Sequence, residues 1–186
     1  QVLFLYVCAV DKATMVYYNE PKGDETMQLE TPRLTLHPLT VEELNGLVER
    51  YRGIDPELTK AYTDMAEGCR QHPEQQLWYT SWGIYLRETG AMIGDADFKG
   101  LPPDGYPEIG YGLESPYWGR GYATEAAGAL CRWALKQPGV KGIEAETAPD
   151  NAASQRVLAK LGFEPTGVIG EEGPRFRLVG EKEKNQ

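Results

Sequence analysis

Two stretches of this chain hold residues whose types and spacing could do chemistry. The first is Trp118-Gly119-Arg120-Gly121-Tyr122-Ala123-Thr124, which follows the strand-like run Glu108-Ile109-Gly110-Tyr111-Gly112-Leu113-Glu114 and opens a helix. A strand that feeds a glycine-bearing loop at a helix start makes a cradle for phosphate. Glycine lets the backbone approach closely, and the first-turn N–H groups have no intrahelical acceptor. Arg120 reads as a phosphate partner or as a plain surface cation. A Walker loop is ruled out, because a single residue separates Gly119 from Gly121 and no Gly-Lys-Ser/Thr follows. A dinucleotide fingerprint fits poorly. Position 124 is Thr where a third glycine is wanted, although Glu144 or Glu146 would suit the acidic ribose partner. Taken alone, Gly-x-Gly is also compatible with an ordinary turn.

The second stretch runs from Thr147 to Phe163 and contains Pro149-Asp150-Asn151-Ala152-Ala153-Ser154-Gln155-Arg156-Val157-Leu158-Ala159-Lys160-Leu161-Gly162. Asp150 or Asn151 can cap a helix here, and Gly162 ends it where a left-handed residue is wanted. Ser154, Val157, Leu158 and Leu161 share one helical face, so the serine points inward. Asn151 lies one turn earlier on the same side. Polar groups at the head of a buried stripe need partners. Capping explains Asn151, while a ligand and a structural partner explain Ser154 equally well.

In this order, about thirty residues apart, the two stretches resemble the GNAT superfamily of N-acetyltransferases, and most closely its RimJ/RimL-like branch of ribosomal-protein alanine acetyltransferases. The matching segments are "LETPRLTLHPLT", "IGYGL", "WGRGYATEA" and "PDNAASQRVLAKLGF", spread from about Leu29 to Leu178. The family's loop often opens with Gln or Arg three residues before its first glycine, where this chain has Pro116. The resemblance implies an α+β GNAT fold, with a mixed central sheet of about six to seven strands splayed at its middle and helices on both faces.

It also implies acetyl-coenzyme A as co-substrate, no metal, and transfer of acetyl to a primary amine by direct attack on the thioester. The amine is that of a protein N-terminus or of a small molecule. The pyrophosphate would lie on the amides of Trp118, Gly119, Arg120, Gly121, Tyr122, Ala123 and Thr124. The splayed strand, through Ile109, Tyr111 and Leu113, would offer backbone N–H groups to the developing oxyanion. Asn151 would hold the pantetheine arm, and Ser154 would contact the cofactor and protonate the leaving thiolate. An ammonium acceptor needs a base. Glu108, which shares a strand face with Gly110 and Gly112, is the leading candidate, with Glu144 and Glu146 as rivals. Trp78, Tyr79 and Trp82 read as walls of an acceptor pocket or as core. A non-catalytic acyl-coenzyme A-binding module is the alternative to an enzyme, and a reductase using another phosphate cofactor is a weaker one.

The elements that must position these groups can be read in outline. Arg33–Pro38 reads as a strand, Val41–Tyr51 as a helix capped by Thr40, and Pro56–Gln71 as a helix after Asp55. Trp78–Arg87 and Ala91–Lys99 read as a hairpin. Glu108–Glu114 is the next strand and Tyr122–Lys136 the long helix, with Ala123, Ala126, Ala127, Leu130 and Ala134 on one face and a stop at Gln137-Pro138-Gly139. Val140–Thr147, Phe163–Ile169 and Pro174–Val179 complete the strands, with the helix Asn151–Leu161 between.

The 186 residues suit one domain, with hydrophobic content of 41% and charged content of 25%. The excess of 28 acidic over 19 basic residues, a formal charge of −9, argues against nucleic acid and favours a cationic acceptor. Cys8, Cys69 and Cys131 are scattered, and with only His37 and His72 no zinc spacing appears. Reduced thiols point to the cytoplasm. Residues 1–27 read as an N-terminal extension, a strand or hairpin packed on the domain or a partner. Its ten-residue apolar run is too short for a membrane span. Residues 28–180 read as the acetyltransferase domain and 181–186 as a charged tail, and a homodimer is compatible with this organisation.

Overall fold

The computed structural model describes residues 17–19 and 27–180. Chain order is β1 (Tyr17–Asn19), β2 (Gln28–Glu30), β3 (Leu34–Pro38), α1 (Val41–Tyr51), α2 (Pro56–Gln71), α3 (Gln76–Tyr79), β4 (Ser81–Leu86), β5 (Met92–Phe98) and β6 (Ile109–Leu113). It continues with α4 (Tyr122–Ala134), β7 (Gly142–Glu146), α5 (Ala152–Lys160), β8 (Glu164–Ile169) and β9 (Pro174–Val179). Most of the extension expected over residues 1–27 and the charged tail lie outside the described residues; within the extension, Tyr17–Asn19 pairs with β2.

Local chemistry sets the helix starts. The Thr40 hydroxyl accepts from the Glu43 N–H at 3.2 Å, while the Glu43 carboxylate accepts from the Thr40 N–H at 2.8 Å. This is a reciprocal capping box at the head of α1. Asp55 caps α2 by accepting from Leu58 N–H at 3.0 Å, with Pro56 in the first turn. The hairpin starts later than the sequence suggests. Trp78 and Tyr79 belong to the short helix α3, and the strand begins at Ser81. Their aromatic side chains favour strand, yet Trp78 is buried against Phe98 and Trp133, and that packing overrides propensity.

The sheet comes in two pieces, β1-β2-β3-β4-β5-β6 and β7-β9-β8, in which every ladder is antiparallel. Among the described residues, their backbones pair at a parallel bridge between Glu108 and Glu144, where Glu144 N–H donates to Pro107 C=O at 2.9 Å. The expected mixed, splayed sheet is present. The described residues hold nine strands rather than six or seven, the short β1 and β2 adding to the count at one edge.

Helices cover both faces. On one face α4 and α5 bury Trp82, Ile84, Ala96, Phe98, Ile109 and Ile143. On the other, α1 and α2 enclose Leu39, Leu44, Tyr62 and Ala66. More of α4 is buried than a single stripe, because α5 packs its far side. A Cβ at Gly128 would stand 3.0 Å from Leu161 Cδ2. Trp133 of α4 is the hub of the core, with its ring centroid 4.9 Å from both Trp78 and Trp82. Trp133→Ala should cost about 3–5 kcal/mol through lost transfer energy and a residual cavity. Urea unfolding monitored by circular dichroism checks this, and a loss under ~1 kcal/mol would show the cluster to be slack.

Candidate active site

The glycine loop lies between a 3-10 turn, Ser115–Tyr117, and the start of α4. Gly119 and Gly121 hold φ of +73° and +80°, a region that disfavours side chains. Gly121 is the N-cap of α4, and no side chain caps the helix. The first backbone bond inside the helix runs from Glu125 N–H to Gly121 C=O at 3.1 Å, so the preceding N–H groups lack intrahelical acceptors. A Cβ at Gly119 would meet nothing within 4 Å. Bare donors, the positive end of a helix dipole and open space together fit a diphosphate.

The loop is braced from behind by two residues that the sequence reading did not single out. The Glu125 carboxylate accepts from the Thr31 hydroxyl at 2.6 Å, the Arg33 N–H at 3.0 Å and the Arg33 Nε at 2.6 Å. Arg33 also donates to the Arg120 carbonyl at 2.9 Å, and its guanidinium lies 4.5 Å from the Tyr122 ring centroid. Ninety-two positions separate Arg33 from Glu125, so no local pattern signals the clamp. The Arg120 side chain is exposed. Trp118 is exposed too, with its indole N–H donating to Leu113 C=O at 2.6 Å.

From the bridge at Glu108, β6 and β7 part as a wedge. Ile109, Tyr111 and Leu113 direct their side chains to the α4 face, Ile109 being buried and the other two half-buried. Across the gap, the Tyr111 hydroxyl stands 2.9 Å from Ser154 Oγ. Ser154 thus points inward, as its spacing predicts, and a phenol stands beside it. Burial pushes the Tyr111 hydroxyl up, against the pull of its bond to Ser154. Asn151 Oδ1 accepts from Ser154 N–H at 3.0 Å, so the capping role holds for this oxygen.

On the α2 face, a cavity of about 460 Å³ reaches the narrow end of the wedge. Asp64 and Met65 of α2, Tyr79, Asp97 of β5, Glu108 and Gly110 line it. Tyr79, stacked on His72 at 4.3 Å, is therefore a pocket wall, whereas Trp78 and Trp82 are core.

Most carboxylates near this cavity are bound. Glu108 is held by Lys99 on one oxygen and by Arg175 on the other. Glu144 pairs with Arg177 and lies 3.6 Å from Arg175. Burial works against the charge on Glu146, but the Gly173 and Glu172 amides and the Arg175 guanidinium hold it below the ordinary carboxylate range. Asp95 accepts from the Ser81 hydroxyl at 2.7 Å and the Tyr62 hydroxyl at 2.9 Å. Asp97 is different. Its carboxylate lies over Gly110, where a Cβ would stand 3.0 Å from Oδ2. Burial, reinforced by Asp95 and Glu108 against the opposing pull of Lys99, pushes it up to about 7. The folded state therefore holds this proton more tightly than the unfolded chain. Its stabilising contribution is complete at acid pH and is lost as pH rises through about 7. The sequence signal was available: Asp95-x-Asp97 places two carboxylates on one face of an otherwise apolar strand.

Other catalytic types are poorly provided. Burial pushes the Cys69 thiol up and the Cys131 thiol up to about 12, so neither is a ready nucleophile. Among the described residues no group of His, Cys, Asp and Glu is arranged to hold a metal. No helix among them is long and apolar enough to cross a membrane.

Comparison with known proteins gives a consistent result. Residues 33–164 match the family model of the acetyltransferase (GNAT) domain. The uncharacterized N-acetyltransferase p20 of Bacillus licheniformis is 30% identical over 163 residues, covering 81% of this chain and 90% of that protein. The FsC-acetyl coenzyme A-N(2)-transacetylase of Aspergillus fumigatus is 36% identical over 156 residues, covering 73% of this chain and 64% of that protein. In fold, the chain is similar to the ribosomal-protein-S5-alanine acetyltransferase of Vibrio fischeri, with a TM-score of 0.61, 16% identity and coverage of 83% of this chain and 97% of that one.

Proposed function

Because the chain belongs to the GNAT acetyltransferase family and is an N-acetyltransferase, we propose that it moves acetyl from acetyl-coenzyme A to the primary amine of a small cationic molecule. The observation that carries this reading is the continuity of the site. An uncapped, glycine-lined helix start stands at the open end of the β6/β7 wedge, and the acidic cavity meets the closed end. On this reading the amides of Trp118 to Thr124 bind the diphosphate and the nitrogen of Asn151 meets the pantetheine arm. The backbone of Ile109 to Leu113 faces the thioester carbonyl. Acetyl-coenzyme A supplies an activated acyl group, and the chain orients it and handles protons. Ser154, with Tyr111 behind it, gives a proton to the departing sulfur. The fungal relative, whose name specifies acetyl-coenzyme A, supports the choice of donor.

Glu108 is the first residue to consider as base, since it lines the cavity. Lys99 and Arg175 already occupy both its oxygens, and an arriving ammonium would compete with them. We therefore assign Glu108 to the negative field that draws the amine in. The carboxylates of Asp64, Asp97, Glu108 and Glu172 around the cavity favour a cation over a neutral acceptor. A binding module without turnover is less favoured, because carboxylates line the proposed meeting point. The free thiols of Cys69 and Cys131 suit a reducing cytoplasm.

Thermal melting with acetyl-coenzyme A, NAD or ATP tests the donor. A ligand at ~100 times its dissociation constant adds about 2.7 kcal/mol, which is roughly 5–10 °C of melting temperature for a domain of this size. We expect that shift with acetyl-coenzyme A alone, followed by thiol release on adding polyamines or amino sugars. A larger shift with NAD would overturn the reading.

A further inference from the structure

We propose that Asp97 is the catalytic base that takes a proton from the acceptor's ammonium group. The inference rests on the acetyl-transfer reading above and names a residue for its first proton step. Asp97 pairs with Gly110 in the β5–β6 ladder, and its side chain covers the glycine at the narrow end of the wedge. Gly110 adds no side chain between that carboxylate and the cavity, which both residues line. Asp97 also differs from its neighbours in what it touches. Glu108, Glu144 and Glu146 are ion-paired, and Asp95 takes hydrogen bonds from Ser81 and Tyr62. Among the described residues, the Asp97 carboxylate has neither a hydrogen-bond donor nor an ion-paired cation. A carboxylate at a cavity wall with unused acceptor capacity is suited to receive an N–H.

The charged groups around it favour the same role. Asp95 of β5 and Lys99 just beyond its end flank it, Glu108 stands beside β6, and Tyr62 and Asp64 approach from α2. Across the cavity lie Glu146 of β7 and Glu172, with Arg175 engaged by Glu108 and Glu146. This mostly negative surround favours the protonated form of Asp97 and attracts the substrate's ammonium. Its position near neutrality suits a base that must both accept and release a proton at ordinary pH.

The step balances as follows. The ammonium gives one proton to Asp97, and the freed nitrogen lone pair forms the N–C bond to the thioester carbonyl carbon. The C–S bond breaks, and its electron pair leaves on sulfur. Ser154 gives its hydroxyl proton to that sulfur and is reprotonated, through solvent, by the second proton leaving nitrogen. Asp97 then releases its own proton to solvent, one per turnover.

Two measurements test the assignment. The first is the pH profile of kcat/KM for the wild type, Asp97→Asn and Asp97→Glu, with acetyl-coenzyme A affinity as control. The wild type should show a limb rising through about pH 7. Asp97→Asn should lose roughly 100-fold and lose that limb, with donor affinity unchanged, and Asp97→Glu should restore part of both. An Asn variant that keeps the rate and the limb overturns the proposal. The second needs neither ligand nor variant activity: carboxyl-carbon NMR of the wild type should show Asp97 titrating near neutrality, and a midpoint in the ordinary carboxylate range overturns the proposal. A wild type that binds no acetyl-coenzyme A and acetylates no amine would instead remove the reading on which it rests.

Discussion

Gly121→Asp is expected to abolish measurable binding of acetyl-coenzyme A while leaving the protein folded. Gly121 caps α4 at φ +80°, where any L side chain is strained by about 1 kcal/mol, so some loss of melting temperature is expected. The larger effect is electrostatic. A carboxylate built there would stand among the N–H groups proposed to hold a diphosphate, neutralising the helix dipole and repelling the ligand. The added Cβ would lie 3.5 Å from an Arg33 nitrogen, so the new charge also has a cation to pair with, and the fold can accommodate it. A loss of at least ~100-fold in affinity, about 2.7 kcal/mol, is expected by calorimetry. Gly121→Ala separates the causes, since it carries the strain without the charge and should lose much less. Unchanged affinity in the Asp variant would remove the loop from the site.

Ser154→Ala should lower kcat by about 10- to 1,000-fold with little change in donor affinity. The serine hydroxyl is bonded to Tyr111 across the gap, and its backbone N–H is taken by Asn151. Removing the hydroxyl leaves the helix cap in place, so the change falls on the proton delivered to the departing sulfur. Single-turnover thiol release is the measurement of choice, because it isolates the chemical step. A thiol of lower basicity as leaving group should narrow the gap between variant and wild type. An unaltered rate would make the Tyr111–Ser154 contact a structural tie.

The sequence made some of this plain and hid the rest for physical reasons. Signals confined to a few residues were easy to read. Thr40 with Glu43, Asp55 before Pro56, and Asn151 three residues before Ser154 each place a cap where the structure has one. The inward stripe of Ser154, Val157, Leu158 and Leu161 follows from helical spacing alone, and the left-handed glycine loop ahead of α4 from two glycines at a helix start. Strand limits were less clear at Trp78, where the pull of the Trp133 cluster is tertiary. The ionic partners of Glu108, Glu144 and Glu146 were not legible. Arg175 and Arg177 come from β9, far along the chain, and only their partners distinguish an engaged glutamate from an available one. Asp97 differs in the complementary way: the sequence shows it sharing a strand face with Asp95, but only the structure shows that, among the described residues, its carboxylate has no ion-pair or hydrogen-bond partner.

The bridge at Glu108–Glu144 also gives the molecule a seam of unusual composition. On the α4 side the two sheet pieces share one continuous apolar core. On the opposite side they are stitched by charge, with Glu108 paired to Arg175 and Lys99 to Glu172 across the seam. Backbone ladders are indifferent to dissolved ions, but partly exposed ion pairs are screened over a Debye length of about 8 Å at physiological salt. Ionic strength therefore acts on this seam selectively, loosening one lip of the cleft while each half-sheet keeps its own hydrogen bonds.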